Sequence, residues 1–181
     1  MKIILIGYMG SGKTVIGERL SRVINLPFYD LDQEITRRQG MDIPTIFEKK
    51  GEIAFRKIEM QVLGELLQSE ESYVLSVGGG TPCYGNSMEM IKQTKDAHSI
   101  YLKTSLETLL IRLWEERDSR PLIAHLDSQE LLEDFLRKHL FERQFYYNQS
   151  NLVVEVKEKD VEGVVAQVKN LLHEHGTITR L

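Results

Sequence analysis

A glycine-rich segment near the amino terminus places a lysine and a hydroxyl residue next to each other at a defined spacing. It reads GYMGSGKT over Gly7–Thr14 and matches the pattern G-x-x-x-x-G-K-[ST] at every defined position. In this pattern, the P-loop, backbone N–H groups and the start of the next helix bind phosphate oxygens. We expect Lys13 to reach the β- and γ-phosphates of a purine triphosphate and Thr14 to offer its hydroxyl to Mg²⁺.

The P-loop alone is compatible with a small-molecule kinase, a GTPase or an ATPase module. A GTPase carries a guanine-reading motif such as Asn-Lys-x-Asp, which this sequence does not contain. An ATPase motor usually has a strand that ends in a carboxylate for Mg²⁺, whereas the strand predicted at Tyr73–Val77 ends in three glycines. The short chain and these differences favour a kinase that acts on a small acceptor.

Two aspartates, Asp30 and Asp32, stand at the end of the second predicted strand. Since the carboxyl ends of parallel strands face the ligand crevice, both would lie beside the P-loop. One could hold a water molecule of Mg²⁺ while the other accepts a proton from a substrate hydroxyl. The alternative is a helix N-cap with acidic residues in the first turn. These residues alone favour neither interpretation.

Three glycines follow the third predicted strand and also face the crevice. Gly78, Gly79 and Gly80 leave the backbone bare, which suits close approach by a ligand. Arg120 precedes Pro121, and an arginine on a mobile segment can close over a transferring phosphoryl group.

Two further arginines lie in predicted helices. The local sequence around Arg56 favours a surface ion pair with Glu52 or Glu59. Arg143 stands beside Glu142, which is typical of a solvated helix face.

Short apolar runs alternate with helical patterns along the chain, which predicts a single α/β domain over residues 1–181 with a parallel sheet. Runs that are apolar throughout, as in Ile3–Ile6, indicate strands covered on both faces. The predicted strands are Lys2–Ile6, Pro27–Asp30, Tyr73–Val77, His98–Leu102 and Leu152–Val156. The predicted helices are Lys13–Ile24, Glu52–Leu67, Ser105–Arg117, Gln129–Asn148 and Val161–Leu172.

Composition narrows the function classes further. The formal net charge is −4, from 23 basic and 27 acidic residues, which argues against a broad nucleic-acid surface. The single cysteine, Cys83, excludes an internal disulfide, and the first apolar run is too short for a membrane span. We expect a cytoplasmic protein that binds neither nucleic acid nor membrane. The histidines form no recognisable set of metal ligands and are expected to be solvated or locally bonded; they are His98, His125, His139, His173 and His175.

The ordered set of these motifs resembles the shikimate kinase family. The set consists of the P-loop, the two aspartates, Phe55-Arg56-x-x-Glu59, the glycine triplet, Arg120-Pro121-Leu122 and Arg143. The resemblance covers about residues 1–156. It implies ATP-dependent phosphorylation of the 3-hydroxyl of shikimate, a step towards chorismate and the aromatic amino acids. It also implies a monomer with the P-loop kinase fold: a five-stranded parallel sheet of order 2-3-1-4-5, a substrate-binding segment at about 32–61 and a lid at about 112–126.

The resemblance assigns a role to each motif residue. It makes Lys13, Asp32 and Arg120 catalytic, with Asp32 the base, and it makes Asp30 a ligand of Mg²⁺ through water. The expected substrate-binding residues are Asp32, Arg56, Gly78, Gly79, Gly80 and Arg143, with both arginines on the carboxylate. The expected ATP-binding residues are Gly10, Ser11, Gly12, Lys13, Thr14, Val15 and Arg120.

The chain departs from the family pattern in two places. Many relatives have Ser-Thr after the P-loop lysine, whereas Thr14-Val15 stands here, so the second hydroxyl is lost and only the backbone N–H of Val15 serves. The adenine-contacting arginine has no clean match, and Arg112, Arg117 or the segment after the last strand (155–159) are the candidates.

Two rival functions are compatible with these residues. One is another P-loop kinase, such as a gluconate-type kinase, whose acceptor is also a carboxylate. The other is a nucleotide-dependent binding module without catalysis, against which the intact Lys13, Thr14, Asp32 and Arg120 argue.

Overall fold

The computed structural model describes residues 1–156 and 160–177. Its sheet has five parallel strands in the order β2-β3-β1-β4-β5, which confirms the expected fold. The strands are β1 (Lys2–Ile6), β2 (Phe28–Asp30), β3 (Tyr73–Ser76), β4 (Ala97–Thr104) and β5 (Leu152–Val156). Asp30 lies beside Ser76 in the register, and Ser76 lies beside Leu5. The end of β2 and the start of the P-loop therefore meet at one edge of the sheet.

Helices cover both faces of the sheet in the described part of the chain. They are α1 (Lys13–Val23), α2 (Leu31–Gln39), α3 (Ile43–Gln68), α4 (Ser87–Gln93), α5 (Leu106–Glu115), α6 (Gln129–Tyr147) and α7 (Val161–Glu174). Strand β1 is buried throughout, as its continuous apolar run predicted. Ile3 and Leu5 pack with α1 and α7, whereas Ile4 and Ile6 pack in a second core cluster with α3, α5 and α6. The central strand thus carries the P-loop out of a fully packed core.

The second strand ends at Asp30, as predicted, and begins one residue later than predicted, at Phe28. Asp30 is its last residue and also the N-cap of α2, and its side chain accepts hydrogen bonds from the N–H groups of Asp32 and Gln33. Asp32 therefore lies in the first turn of a helix that the apolar pattern did not reveal, because α2 buries only Leu31 and Ile35.

Helix α3 is longer than predicted and is interrupted once. Gly51 has a φ of 77°, which is left-handed and breaks the helix into two parts. The second part starts at Glu52, where the sequence pattern placed the start of the helix. Because of this break, the first part of α3, before Gly51, need not run in the same direction as the second part.

The remaining differences concern short elements. Helix α4 was not predicted, and 3₁₀ turns form at Thr81–Cys83 and Arg117–Ser119. Helix α5 ends at Glu115 rather than Arg117, so Arg117 belongs to the irregular segment that leads to Arg120. Within residues 1–156 and 160–177, no helix combines the length and apolar character needed to cross a membrane.

Candidate active site

The P-loop wraps around the side chain of its own lysine. Lys13 Nζ donates to the carbonyl oxygens of Gly7 and Tyr8, at 2.8 and 2.9 Å, and the residue is almost fully buried. Gly10 and Gly12 have φ values of 77° and 87°, a left-handed conformation that side chains rarely adopt. Among the described residues, the buried Ser11 hydroxyl has no hydrogen-bond partner. An oxygen-rich ligand in the loop would fit both the lysine and this hydroxyl.

A cavity of about 440 Å³ opens beside the loop at the carboxyl ends of the strands. Its polar end contains Lys13, Thr14, Asp30 and Asp32, and its other end is apolar. The apolar end is formed by Val15, Ile16, Val156, Val161 and Val164. This arrangement offers phosphate and metal chemistry at one end and a surface for a flat apolar ring at the other.

Asp30 joins the P-loop to the start of α2. Thr14 Oγ1 donates to Asp30 Oδ2 at 3.0 Å, while Asp30 Oδ1 accepts from the N–H groups of Asp32 and Gln33 at 3.0 and 3.3 Å. Asp30 is therefore a helix cap, as one of the two sequence interpretations held, and it also contacts the Thr14 hydroxyl; its role in binding Mg²⁺ stays a prediction. A hydroxyl and a carboxylate oxygen are hard ligands of the kind that Mg²⁺ prefers.

The pKa of Asp32 is raised to about 6, first because the cleft removes water from the carboxylate and then because Asp30 and Glu59 carry the same charge. Lys13 and Arg56 oppose this shift. Asp32 keeps an exposed surface in the cleft, so a ligand can reach its carboxylate. A carboxylate with a raised pKa is a better proton acceptor than an ordinary aspartate.

The pKa of Lys13 is lowered to about 8, chiefly by burial, while Asp32 and Asp30 oppose the change. A phosphate ligand would supply the negative charge that favours the protonated amine.

The glycine triplet packs against the side chains that the resemblance assigns to the acceptor. A Cβ added at Gly78 would lie 3.1 Å from Glu59 Oε1 and 3.4 Å from Asp32 Oδ1. A Cβ at Gly80 would lie 3.1 Å from both terminal nitrogens of Arg56. The absence of side chains here therefore leaves room for Asp32, Glu59 and Arg56 to approach the backbone.

Arg56 is held by a buried carboxylate rather than by a surface ion pair alone. Its Nη1 donates to Glu59 Oε2 at 2.8 Å, and Glu59 is 2% exposed. Thr81 Oγ1 donates to the other oxygen of Glu59 at 2.6 Å. The guanidinium also lies over the ring of Tyr84, 3.9 Å from the ring centroid. The local sequence named both partners, since Arg56 Nε also lies 3.5 Å from Glu52 Oε1, but it did not predict the burial of Glu59.

A second cavity, of about 200 Å³, adjoins the first. It is lined by Tyr8, Met9, Arg56, Gly79, Gly80, Leu122, His139 and Arg143. Gly79 lines both cavities, and its carbonyl accepts a hydrogen bond of 2.6 Å from the Tyr147 hydroxyl. Two arginines from different helices thus converge beside the phosphate loop.

The prediction of a solvated helix face for Arg143 was wrong. Its side chain is 13% exposed, and Nη1 donates to the carbonyl of His139 at 3.3 Å. Glu142 lies 3.6 Å from the same nitrogen. The helix turns Arg143 towards the cavity because α6 packs its Leu132, Leu136 and Tyr147 into the core.

The end of α5 and the segment after it direct three arginines to different places. Arg112 Nη1 donates to the Gly10 carbonyl at 3.0 Å and lines the larger cavity. Arg117 instead lies over the Trp114 ring, 4.5 Å from its centroid, and bonds to Asp118. Arg120 lines the cavity while its Nε donates to Glu116 Oε2 at 2.9 Å. Of the adenine candidates, Arg112 therefore faces the cleft, and residues 157–159 lie outside the described part of the chain.

The structure brings together all of the predicted site residues in these two adjoining cavities and adds others. Sequence reasoning missed Tyr8, His139, Leu122 and Tyr84 as lining or supporting residues. One signal was present for His139, because it precedes Arg143 by four residues and so shares its helix face. Val15 is 57% exposed at the cavity wall, so its side chain takes no part in the core.

The comparisons with known proteins agree with one another. The family model "SKI: Shikimate kinase" matches residues 9–173. A shikimate kinase of Flavobacterium johnsoniae is 45% identical over 171 residues, which are 94% of this chain and 98% of the relative. The crystal structure of a shikimate kinase from Bacteroides thetaiotaomicron superimposes with a TM-score of 0.86 at 31% identity, covering 96% of this chain and 98% of that one. Shikimate kinase from Acinetobacter baumannii, solved in complex with shikimate, has a TM-score of 0.84 at 33% identity, covering 96% and 93%.

Proposed function

The chain belongs to the shikimate kinase family, and we propose that it transfers the γ-phosphoryl group of ATP to the 3-hydroxyl of shikimate, a step in the synthesis of chorismate and the aromatic amino acids. The observation that carries this proposal is the convergence of Arg56 and Arg143 on one small cavity that shares Gly79 with the phosphate cavity. An acceptor held there would lie next to the P-loop. Its binding groups suit a small carboxylate that also carries hydroxyls.

On the donor side, Gly10–Val15 bind the phosphates through backbone N–H groups, and Lys13 holds the β- and γ-phosphates. Thr14 and Asp30 are the residues that would hold Mg²⁺, Thr14 with its hydroxyl and Asp30 through a water molecule. When bound, Mg²⁺ neutralises negative charge that builds up on the phosphate oxygens. The hydrogen bond between Thr14 and Asp30 supports this role, since it places both oxygens at the same point of the cleft.

On the acceptor side, Arg56 and Arg143 bind the carboxylate because a guanidinium can donate two parallel hydrogen bonds to it. Asp32 accepts hydrogen bonds from ring hydroxyls and takes the proton of the attacking hydroxyl. The raised pKa of Asp32 and its position between Lys13 and Glu59 support that role. The N–H of Gly79 serves as a further hydrogen-bond donor. Because the three glycines have no side chains, the acceptor can approach their backbone closely.

Arg120 completes the phosphate site from the lid, for which we propose residues 112–126, and residues 32–61 form the substrate-binding segment. To reach a transferring phosphoryl group, Arg120 exchanges its ion pair with Glu116 for phosphate oxygens. Closure would also exclude water and so limit hydrolysis of ATP. Arg112, together with the valines of the apolar end, forms the adenine site.

We further propose that the enzyme is a cytoplasmic monomer that uses only ATP, Mg²⁺ and shikimate. The acidic net charge and the single cysteine support this assignment. Equilibrium sedimentation at micromolar concentration should give the mass of one chain, 20.9 kDa.

A coupled assay of ADP release, run with shikimate and with gluconate as acceptors, tests the proposed activity. We expect acceptor-dependent ADP release with shikimate and none above background with gluconate. Turnover of gluconate without turnover of shikimate would establish the gluconate-type alternative. No acceptor-dependent release with either compound would instead indicate a nucleotide-binding module.

A further inference from the structure

Tyr8, the second residue of the P-loop, is hydrogen-bonded to His139 in α6, the helix that also carries Arg143. The Tyr8 hydroxyl lies 2.8 Å from His139 Nδ1, although 131 residues separate the two in sequence. Their rings meet edge to face with centroids 6.0 Å apart, and the ring of Phe135 packs against the imidazole with 4.5 Å between centroids. The imidazole is therefore held in place by two aromatic rings and by one hydrogen bond.

The same contact is compatible with one particular tautomer of His139. Burial raises the pKa of the Tyr8 hydroxyl above its ordinary value, so the hydroxyl is protonated and can donate to Nδ1. Burial, followed by the charge of Arg143, lowers the pKa of His139, while Glu142 opposes this change. A neutral imidazole that accepts at Nδ1 carries its proton on Nε2. Tyr8 thus leaves His139 with one hydrogen-bond donor.

His139 lines the cavity that also contains Arg56 and Arg143. It precedes Arg143 by one helical turn, and its own carbonyl accepts a hydrogen bond from the Arg143 guanidinium at 3.3 Å. A donor on this face adds to the two arginines where an anionic oxygen would sit. Because Nδ1 is engaged by Tyr8, Nε2 is the ring nitrogen that can serve a ligand in this cavity.

We propose that His139 is a further substrate-binding residue, which donates from Nε2 to the shikimate carboxylate beside Arg143, and that Tyr8 is the positioning residue that sets its tautomer. The inference rests on the proposed function, because it concerns the acceptor of that reaction. It also gives the P-loop a direct contact with the acceptor site, since Tyr8 belongs to the phosphate loop and His139 to the wall of the acceptor cavity.

Two substitutions of similar size separate the two ring nitrogens. In His139→Gln the side-chain amide reaches the place of Nε2 and keeps a donor towards the cavity. In His139→Asn the amide reaches only the place of Nδ1 and keeps the contact with Tyr8. Dissociation constants for shikimate and for MgADP, measured by calorimetry on each purified variant, provide the readout.

We expect His139→Asn to weaken shikimate binding about tenfold or more, as for the loss of a hydrogen bond to a charged group, and His139→Gln to stay within about threefold of the unmodified chain. Tyr8→Phe should weaken shikimate binding by about threefold to tenfold, because the tautomer is no longer fixed. The affinity for MgADP should change less than about twofold in the two His139 variants.

Wild-type affinity for shikimate in His139→Asn would overturn the inference, as would equal losses in the Asn and Gln variants. An equal loss of MgADP affinity in both would overturn it too, since that pattern indicates a structural role. Failure of the proposed function is a separate result, because the unmodified chain would then neither bind nor phosphorylate shikimate.

Discussion

Thr14 donates a hydrogen bond of 3.0 Å to Asp30, which joins the last residue of the P-loop to the last residue of β2. The contact is possible because β2 and β1 flank β3 on either side, with Asp30 beside Ser76 and Ser76 beside Leu5. The same carboxylate caps α2 with its other oxygen. One residue thus holds the Thr14 hydroxyl, which we propose binds Mg²⁺, and starts the helix that carries Asp32.

The two roles of Asp30 can be separated by substitution. Asn caps a helix as well as Asp does but carries no charge. Ala carries no charge and does not cap a helix. We expect Asp30→Asn to require about tenfold more Mg²⁺ for half-maximal turnover, with little change in the free energy of unfolding. Asp30→Ala should show the same Mg²⁺ dependence and lose about 1 kcal/mol of stability. Mg²⁺ titrations of turnover and urea unfolding curves provide the measurements; an unchanged Mg²⁺ requirement in both variants would contradict the metal role.

The raised pKa of Asp32 predicts a particular acid limb in the pH profile. A base must be deprotonated to work, so kcat/KM for shikimate should fall as the pH falls through about 6 rather than through the ordinary range of aspartate. Asp32→Asn should lower kcat about 100-fold or more and abolish that limb, with the affinity for MgADP retained. Initial rates between pH 5 and 8 are sufficient. Near-normal turnover of the variant would exclude Asp32 as the base.

Burial of Lys13 predicts that nucleotide binding takes up a proton. With a pKa lowered to about 8, the free amine is close to half protonated at pH 8. Bound phosphates favour the charged form, so MgADP binding at this pH should take up roughly half a proton. Calorimetry in two buffers of different ionisation enthalpy measures the uptake. Lys13→Arg is the control, because arginine stays charged and should bind without that uptake; an equal uptake in the control would assign the proton to another group.

The glycine triplet predicts a substitution that acts on the acceptor alone. Gly80 has an ordinary φ of −87°, so alanine causes no backbone strain there. Its Cβ would lie 3.1 Å from both terminal nitrogens of Arg56 and would displace that guanidinium. We expect Gly80→Ala to raise KM for shikimate about tenfold and to leave KM for ATP within about twofold. Gly64→Ala, in α3, is a matched control that should leave both constants unchanged.

Features that depend on residues close together along the chain could be predicted from the sequence. The P-loop is a contiguous pattern between a strand and a helix, and the buried strand β1 was evident from its apolar run. Helix α2 was missed because it buries only Leu31 and Ile35 and therefore shows no strong apolar pattern, although an N-cap at this point was one of the two interpretations. The break at Gly51 was unexpected, although the start of the second part of α3 at Glu52 was predicted correctly.

Contacts between distant segments could not be predicted in the same way. The burial of Glu59 depends on Thr81, which lies 22 residues further along the chain. The pair of Tyr8 and His139 depends on the packing of α6 against the core. The local sequence alone favoured a solvated helix face for Arg143 for the same reason, since nothing in its neighbourhood along the chain indicates which way α6 faces, and only the resemblance assigned it to the substrate.

The most direct test of the account is the identity of the product. The purified chain, incubated with ATP, Mg²⁺ and shikimate, should yield one phosphate ester, and proton and phosphorus NMR should place the phosphate on the 3-hydroxyl. Asp32→Asn should give almost none of this product under the same conditions. A phosphate on another hydroxyl, or the release of inorganic phosphate without any ester, would contradict the proposed geometry of the site.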